Sequence, residues 1–307
     1  MFRLKKLKNR DFLSIQDLSK NEIDHLLNLA SIYKKKELEI NLDKKVLGLI
    51  FDKSSTRTRV SFQVAMSNIG GSTIDLNPST SQIGRGEPIR DTARVLSRYC
   101  DVLAIRTFSH SDLIEYAKWS TVPVINALTD LEHPCQGLAD FLTIKEEFDS
   151  FQNLILTFVG DGNNVANSLI LLGASLGVKI RIASPKGYEP NLSIIKRAND
   201  IADKRIVNIY DDPLEATKGA NILYTDVWSS MGEEQQKEKK DKDFDGFTID
   251  NKLLENTTED SIVLHCLPAY RGKEITDAVF ESKNSRIFEQ AENRLHVQQA
   301  LLTLLMN

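Results

Sequence analysis

Ser55, Thr56, Arg57, Thr58 and Arg59 crowd three hydroxyls and two guanidiniums into five consecutive positions, just after the apolar run that ends at Phe51. Donors at that density suit an anion, and arginine suits a phosphate because its planar fork binds two oxygens at once. Lys45–Phe51 is apolar enough for a buried strand, while Ser55–Ile69 repeats apolar residues at helical spacing. The cluster therefore falls where a strand gives way to a helix. First-turn N–H groups lack intrahelical acceptors and the macrodipole is positive there, so backbone donors join the side chains. The plainer alternative is a Ser or Thr N-cap followed by arginines that pair with surface carboxylates.

Five further loops carry unusual chemistry. Arg106 stands at the end of a predicted strand, Val102–Ile105. His133-Pro134-Cys135-Gln136 follows the extended run Val124–Ala127 and precedes a helix expected from Gly137 to about Phe148. Its imidazole can donate to a carbonyl oxygen and Gln136 can hold an amino group, with Cys135 filling space; the plainer reading is a helix-capping histidine. Gly160-Asp161-Gly162-Asn163-Asn164 follows the strand Leu154–Val159 and leads into a helix reaching about Leu176, and Asp226–Gly232 (DVWSSMG) follows the strand Ile222–Thr225. His265-Cys266-Leu267-Pro268 ends the strand Ile262–His265.

The glycine loop must be weighed against the dinucleotide fingerprint. It spells G-x-G-x-x-x-A, ending at Ala166, and the next strand, Val178–Ala183, closes on Ser184-Pro185-Lys186 with no acidic residue for a ribose. A nicotinamide enzyme is disfavoured. Two asparagines at a helix start offer either amide donors to a carboxylate or plain N-caps. Asp226 can hold an ammonium group and Ser230 a carboxylate, so with Asn164 these residues meet the needs of a zwitterionic amino acid. His265 and Cys266, as strand neighbours, point to opposite faces and cannot pair directly as base and nucleophile. Zinc is disfavoured because the cysteines lack close paired spacing. Cys266 reads as a cleft-lining contact or as a buried structural thiol.

The elements that must position these loops alternate strand and helix in each half of the 307-residue chain, which is long enough for two domains. Strand readings at Ser72–Leu76 and Ile206–Tyr210 and helices at Asp17–Lys35, Ile89–Tyr99 and Ser111–Trp119 complete the pattern. Ser19 and Glu22 form a capping box at the first of these helices. The expected fold is α/β, with two doubly wound domains on parallel sheets. The first domain is expected over 1–148 and the second over 149–289, with a C-terminal helix, 290–307, packing back on the first. In such sheets ligands bind beyond the carboxyl ends of the strands, where all six loops lie. Asn77–Glu87 reads as a lid, or an arm reaching a neighbouring subunit. Glu233–Asp245 carries no apolar residue except Phe244 and is expected as a solvated loop or exposed helix, with a mobile flap as the alternative.

Hydrophobic content of 41% and a net charge of -4 are ordinary for a soluble globular protein and give no electrostatic reason to expect nucleic acid. No signal peptide or membrane span is evident. The three cysteines, Cys100, Cys135 and Cys266, are odd in number and far apart, which fits free thiols in a reducing cytoplasm.

STRTR, HPCQ, DVWSSMG and HCLP, in this order and spread over the chain, resemble the aspartate/ornithine carbamoyltransferase family, with the last two motifs resembling its ornithine branch. Gln82 stands near the place where the aspartate branch has a catalytic lysine, although Arg85 lies close by. The resemblance implies two domains, a homotrimer with active sites at subunit interfaces, a cytoplasmic role in arginine biosynthesis or, run backward, in arginine breakdown, and no metal or organic cofactor. It implies that Ser55, Thr56, Arg57 and Thr58 hold the phosphate of carbamoyl phosphate, with Gln82 lent by a neighbouring subunit. Arg57, Thr58, Arg106 and His133 would polarise the carbonyl, Gln136 would hold the carbamoyl amide, and Arg294 would add a further contact. Cys266 and Leu267 would line the carbamoyl region, and Asn164, Asp226, Ser230 and Met231 would bind ornithine. Arg57, Arg106, His133, Asp226 and Cys266 are the expected catalytic residues.

The implied reaction is direct attack of the δ-amine of L-ornithine on the carbamoyl carbon, giving L-citrulline and phosphate. An amine titrating near 10.4 is neutral in only about one molecule in a thousand near pH 7, so the enzyme must select or create that form. No covalent enzyme intermediate is needed. Carbamoyl transfer to putrescine or an acylated ornithine is the neighbouring alternative, and a non-catalytic two-lobed binding protein is the alternative from another class.

Overall fold

In the computed structural model, which describes residues 7–52, 55–77, 86–229 and 237–307, the chain divides into two compact units. The first holds residues 1–142 and 292–307, the second 143–291.

In the first unit α1 (Lys20–Lys34) precedes β1 (Val46–Phe51), α2 (Arg57–Asn68), β2 (Ser72–Leu76), α3 (Ile89–Leu96), β3 (Val102–Arg106), α4 (His110–Trp119), β4 (Val124–Leu128) and α5 (Pro134–Phe148). The four strands pair in parallel in the order β2-β1-β3-β4. Apolar residues fill β1 and β3 on both faces, as expected for strands covered by helices above and below. α1 starts on the expected capping box: the Ser19 hydroxyl accepts from Glu22 N, and Ser19 N donates to the Glu22 carboxylate at 2.8 Å.

In the second unit β5 (Ile155–Val159), α6 (Asn164–Leu176), β6 (Lys179–Ala183), α7 (Leu192–Ala202), β7 (Val207–Tyr210), α8 (Pro213–Thr217), β8 (Ile222–Thr225), α9 (Lys237–Asp243), α10 (Asn251–Glu255), β9 (Ile262–His265) and α11 (Asp277–Phe280) follow. The five strands are again parallel, ordered β7-β6-β5-β8-β9. The last helix, α12 (Ile287–Met306), belongs to the first unit from Glu292 onward. There Leu7 N donates to Leu304 O at 3.0 Å, and the hydroxyls of Tyr33 and Thr303 lie 2.7 Å apart.

Strand order reverses at β1 in one sheet and at β5 in the other, so the crevices open at the β1/β3 and β5/β8 tips. STRTR and Arg106 follow the first pair of strands or end them, and Gly160–Asn164 and Asp226 follow the second.

Two expectations need correction. α5 begins at Pro134, three residues earlier than periodicity suggested, because a proline at the first helical position costs no hydrogen bond and is pre-set for helical φ. α12 begins at Ile287 rather than Gln290. The described part of Glu233–Asp245 is the expected exposed helix, α9 with its exit, but two of its residues are anchored in the unit. Lys240 and Phe244, four apart on one side of α9 and its exit, are 3% and 0% exposed. Phe244 lies in an aromatic cluster, with its ring centroid 5.5 Å from Trp228 and 4.9 Å from Tyr188. Lys240 Nζ reaches the Asp161 carboxylate at 2.6 Å. Phe244→Ala should therefore destabilise the second unit by about 3 to 5 kcal/mol. Urea unfolding checks this, and a loss below 1 kcal/mol, on the order of an ordinary surface change, would mean the segment is not anchored there.

Candidate active site

At the β1–α2 turn Thr56 occupies the N-cap position without a side-chain cap hydrogen bond. The plain capping reading of its hydroxyl therefore does not hold. Ser55 is half-buried, Thr56 and Arg57 are exposed, and Thr58 is buried. Arg59 fits the plainer reading: it forms an ion pair with Asp75 on β2 and its guanidinium sits 5.1 Å from the Phe51 ring centroid.

Thr58 is the turn's link to the rest of the first unit. Arg294 of α12, 3% exposed, donates from Nη2 to Thr58 Oγ1 at 2.7 Å and from Nη1 to Gln136 Oε1 at 2.9 Å. Gln136 Nε2 donates in turn to Asp140 Oδ1 at 2.7 Å. Sequence reasoning missed Asp140, although its signal was there: it lies four residues after Gln136 on a helix, within side-chain reach. Arg106 is buried at the end of β3.

The charges of Arg294 and Arg106 act on His133. Burial first, then these two guanidiniums, hold its pKa well below the usual histidine value of 6.5. At neutral pH the ring is uncharged and keeps one N–H to donate. Burial likewise pushes the Cys135 thiol up to about 12, so it is an inert filler.

In the second unit Asn163, not Asn164, caps α6: its Oδ1 accepts from Val165 N at 2.9 Å and Ala166 N at 3.2 Å. Its Nδ2 donates to Asp226 Oδ2 at 2.8 Å. Asn164 is the first helical residue. Gly162, in the turn before it, serves packing. A Cβ at Gly162 would lie 2.2 Å from Pro190 N, so the strand-to-helix turn needs glycine for backbone approach within the protein itself.

Cys266 Sγ donates to Asp226 Oδ1 at 3.0 Å, which makes it a polar contact at the strand tips. His265, the last residue of β9, is buried. Its Nδ1 accepts from Leu267 N at 2.9 Å, so the proton sits on Nε2, which lies 3.2 Å from Glu274 Oε1. Ligand atoms of Asp226, His265 and Cys266 lie within 4.8 Å of one another. With one ring nitrogen accepting and the other protonated, the imidazole offers no lone pair to a metal. Leu267 holds a φ of 60°, uncommon for a branched residue. Gln82, Ser230 and Met231, with most of Asn77–Glu87, lie outside the described residues.

The first unit thus brings together Thr58, Arg106, His133, Gln136 and Arg294, and the second brings together Asn163, Asp226 and Cys266. Both motif sets match one protein family. Residues 10–146 match the carbamoyl-P binding domain, and residues 152–305 the Asp/Orn binding domain, of aspartate/ornithine carbamoyltransferase. The chain belongs to this family. It is 69% identical over the full length of both chains to the ornithine carbamoyltransferase of Prochlorococcus marinus strain MIT 9312. Among solved structures, it resembles ornithine carbamoyltransferase from Pyrococcus furiosus with a TM-score of 0.94 at 46% identity, covering 98% of each chain. The enzyme from Gloeobacter violaceus matches with a TM-score of 0.88 at 50% identity, covering 98% of this chain and 99% of the other. No helix among the described residues is long and apolar enough to cross a membrane.

The depressed His133 pKa has a consequence for stability. Below about pH 6.5 the unfolded chain takes up a proton that the folded chain refuses, so stability is lost as pH falls through that value. The slope is about 1.4 kcal/mol per pH unit. Between pH 7.5 and 5.5 the wild type should lose roughly that much more stability to urea than His133→Gln does. Equal losses in the two proteins would show that His133 is not buried neutral.

Proposed function

We propose that the protein transfers the carbamoyl group of carbamoyl phosphate to the δ-amine of L-ornithine, giving L-citrulline and phosphate. The observation that carries this reading is an uncharged, buried imidazole under the charges of two guanidiniums, one of which is hydrogen-bonded to Gln136. A phosphate ester of carbamic acid needs both kinds of group: cations for the departing phosphate, and neutral donors for the carbonyl oxygen. Full-length similarity to ornithine carbamoyltransferases supports ornithine as the acceptor.

In this reading residues 1–148 bind carbamoyl phosphate and 149–289 bind ornithine, with 290–307 completing the first domain. Ser55, Thr56, Arg57 and Thr58 hold the phosphate with Arg294, and Gln82 joins them from a neighbouring subunit. Arg57, Thr58, Arg106 and His133 donate to the carbonyl oxygen, and Gln136 accepts from the carbamoyl amide. Asp226 takes an amino group of ornithine, Asn164, Ser230 and Met231 complete its recognition, and Cys266 and Leu267 line the reacting end.

The neutral amine attacks the carbamoyl carbon, a C–N bond forms and negative charge gathers on the oxygen. The C–O bond to phosphate then breaks, phosphate leaves with the electron pair, and the proton lost by the nitrogen ends on the departing phosphate. Positioning the two substrates supplies roughly 7 to 11 kcal/mol, and each well-aimed donor to the oxyanion about 2.7 to 4.

The homotrimer is part of the same proposal. Edge strand β2 leaves Ile74 43% exposed, and α2, in the same unit, leaves Val60 50% exposed. Apolar surface beside an unpaired edge favours association. Cys100 and Cys135 are buried thiols outside any disulfide, which suits a reducing cytoplasm.

Mixing the protein with carbamoyl phosphate and, in turn, ornithine, aspartate and putrescine should give ureido product with ornithine alone. Product with putrescine instead would move the assignment to another carbamoyltransferase, and ligand binding without phosphate release would make the protein a binding protein. At limiting ornithine the rate should rise by up to about tenfold per pH unit between pH 6 and 8, following the neutral amine. A flat profile would contradict attack by that form.

A further inference from the structure

The Asp226 carboxylate is clamped by donors from three separate segments. Val227 N donates to Oδ1 at 2.8 Å, Cys266 Sγ to the same oxygen at 3.0 Å, and Asn163 Nδ2 to Oδ2 at 2.8 Å. The Val227 amide is local to Asp226, and a thiol is a weak donor. Among the described residues, Asn163 is therefore the one strong side-chain donor that sets the plane of the carboxylate.

The other end of the same amide is also committed. Asn163 Oδ1 accepts from Val165 N and Ala166 N in the first turn of α6. These partners dictate which way the amide faces: oxygen toward the helix, nitrogen toward the carboxylate. The loop beneath it is rigidly tied. Gly162 N donates to Tyr188 O at 2.8 Å, and Asp161 meets the buried ammonium of Lys240 at 2.6 Å. Serine or threonine would cap the helix but offers no amide to reach Asp226. Aspartate would cap it and set one carboxylate against another. Asparagine alone combines a short acceptor for the cap with a donor for the acid.

We infer that Asn163 is a positioning residue for amino-acid recognition: it aims the Asp226 carboxylate at an amino group of the substrate without touching the substrate itself. The inference rests on the reading of Asp226 as an ornithine contact.

A double-mutant cycle on the full-length protein tests it, using wild type, Asn163→Ser, Asp226→Asn and the double variant. Serine preserves the cap, so the thermal midpoint of Asn163→Ser should stay within a few degrees of wild type. Its KM for ornithine should rise about tenfold while the KM for carbamoyl phosphate is unchanged, because only one end of the reaction is affected. Asn163→Asp, with an equally good cap, should be worse than Asn163→Ser, since it adds a like charge. In the Asp226→Asn background the Asn163→Ser change should cost less than about twofold, the signature of two residues acting as one unit. Calorimetry of L-ornithine binding in the presence of inorganic phosphate closes the cycle where turnover is too slow to measure.

The same tenfold loss in both backgrounds would overturn the inference, as would a parallel rise in the KM for carbamoyl phosphate with a lowered thermal midpoint. Wild-type protein that forms no ureido product from ornithine would instead overturn the carbamoyl-transfer reading, and this inference with it.

Discussion

A guanidinium near the far end of the chain ties the first unit together. Arg294 reaches Thr58 at the start of α2 and Gln136 in the first turn of α5, and it is almost fully buried. Burying a cation is costly unless its donors are satisfied. Here two of them meet neutral oxygens, which offsets part of that cost without cancelling the charge. The consequence appears on His133, whose protonation is suppressed by burial together with Arg294 and Arg106. An anion arriving at this place meets positive potential, and a carbonyl meets an imidazole that can donate without first losing a charge. Both properties depend on α12 returning to the unit in which the chain began.

The second unit solves a different problem, which is to hold a carboxylate still. Asp226 follows β8, its donor Asn163 follows β5 and its donor Cys266 follows β9, so the clamp exists only because β5, β8 and β9 are neighbours in the sheet. The loop that carries Asn163 is tied down by Lys240 from a stretch dominated by charge. A buried ammonium beside Asp161, and Phe244 among Trp228, Tyr188 and Phe247, show why that stretch folds onto the unit. Single residues at helical spacing carry the packing, while their charged neighbours remain in water.

Much of this was legible in the amino-acid order. The parallel strands read clearly because strands buried on both faces are continuous apolar runs, as in Val46–Phe51 and Ile155–Val159, and the Ser19–Glu22 capping box announced α1. The chemistry-bearing loops were visible because polar residues of restricted type stand directly after those runs. Helix ends read less well, since a proline such as Pro134 signals a boundary without saying on which side of it the helix lies.

What the sequence by itself determined is the set of reactive side chains and their place at strand tips, because residue type and local periodicity are properties of neighbours along the chain. Only the tertiary structure decided which of them act together. Asp140 gains meaning from Gln136 and Arg294, Asn163 from an aspartate 63 residues away, and Lys240 from Asp161. Each of these partnerships, and the neutrality of His133, depends on distances set by sheet order and burial, and a local pattern of residues carries no record of either.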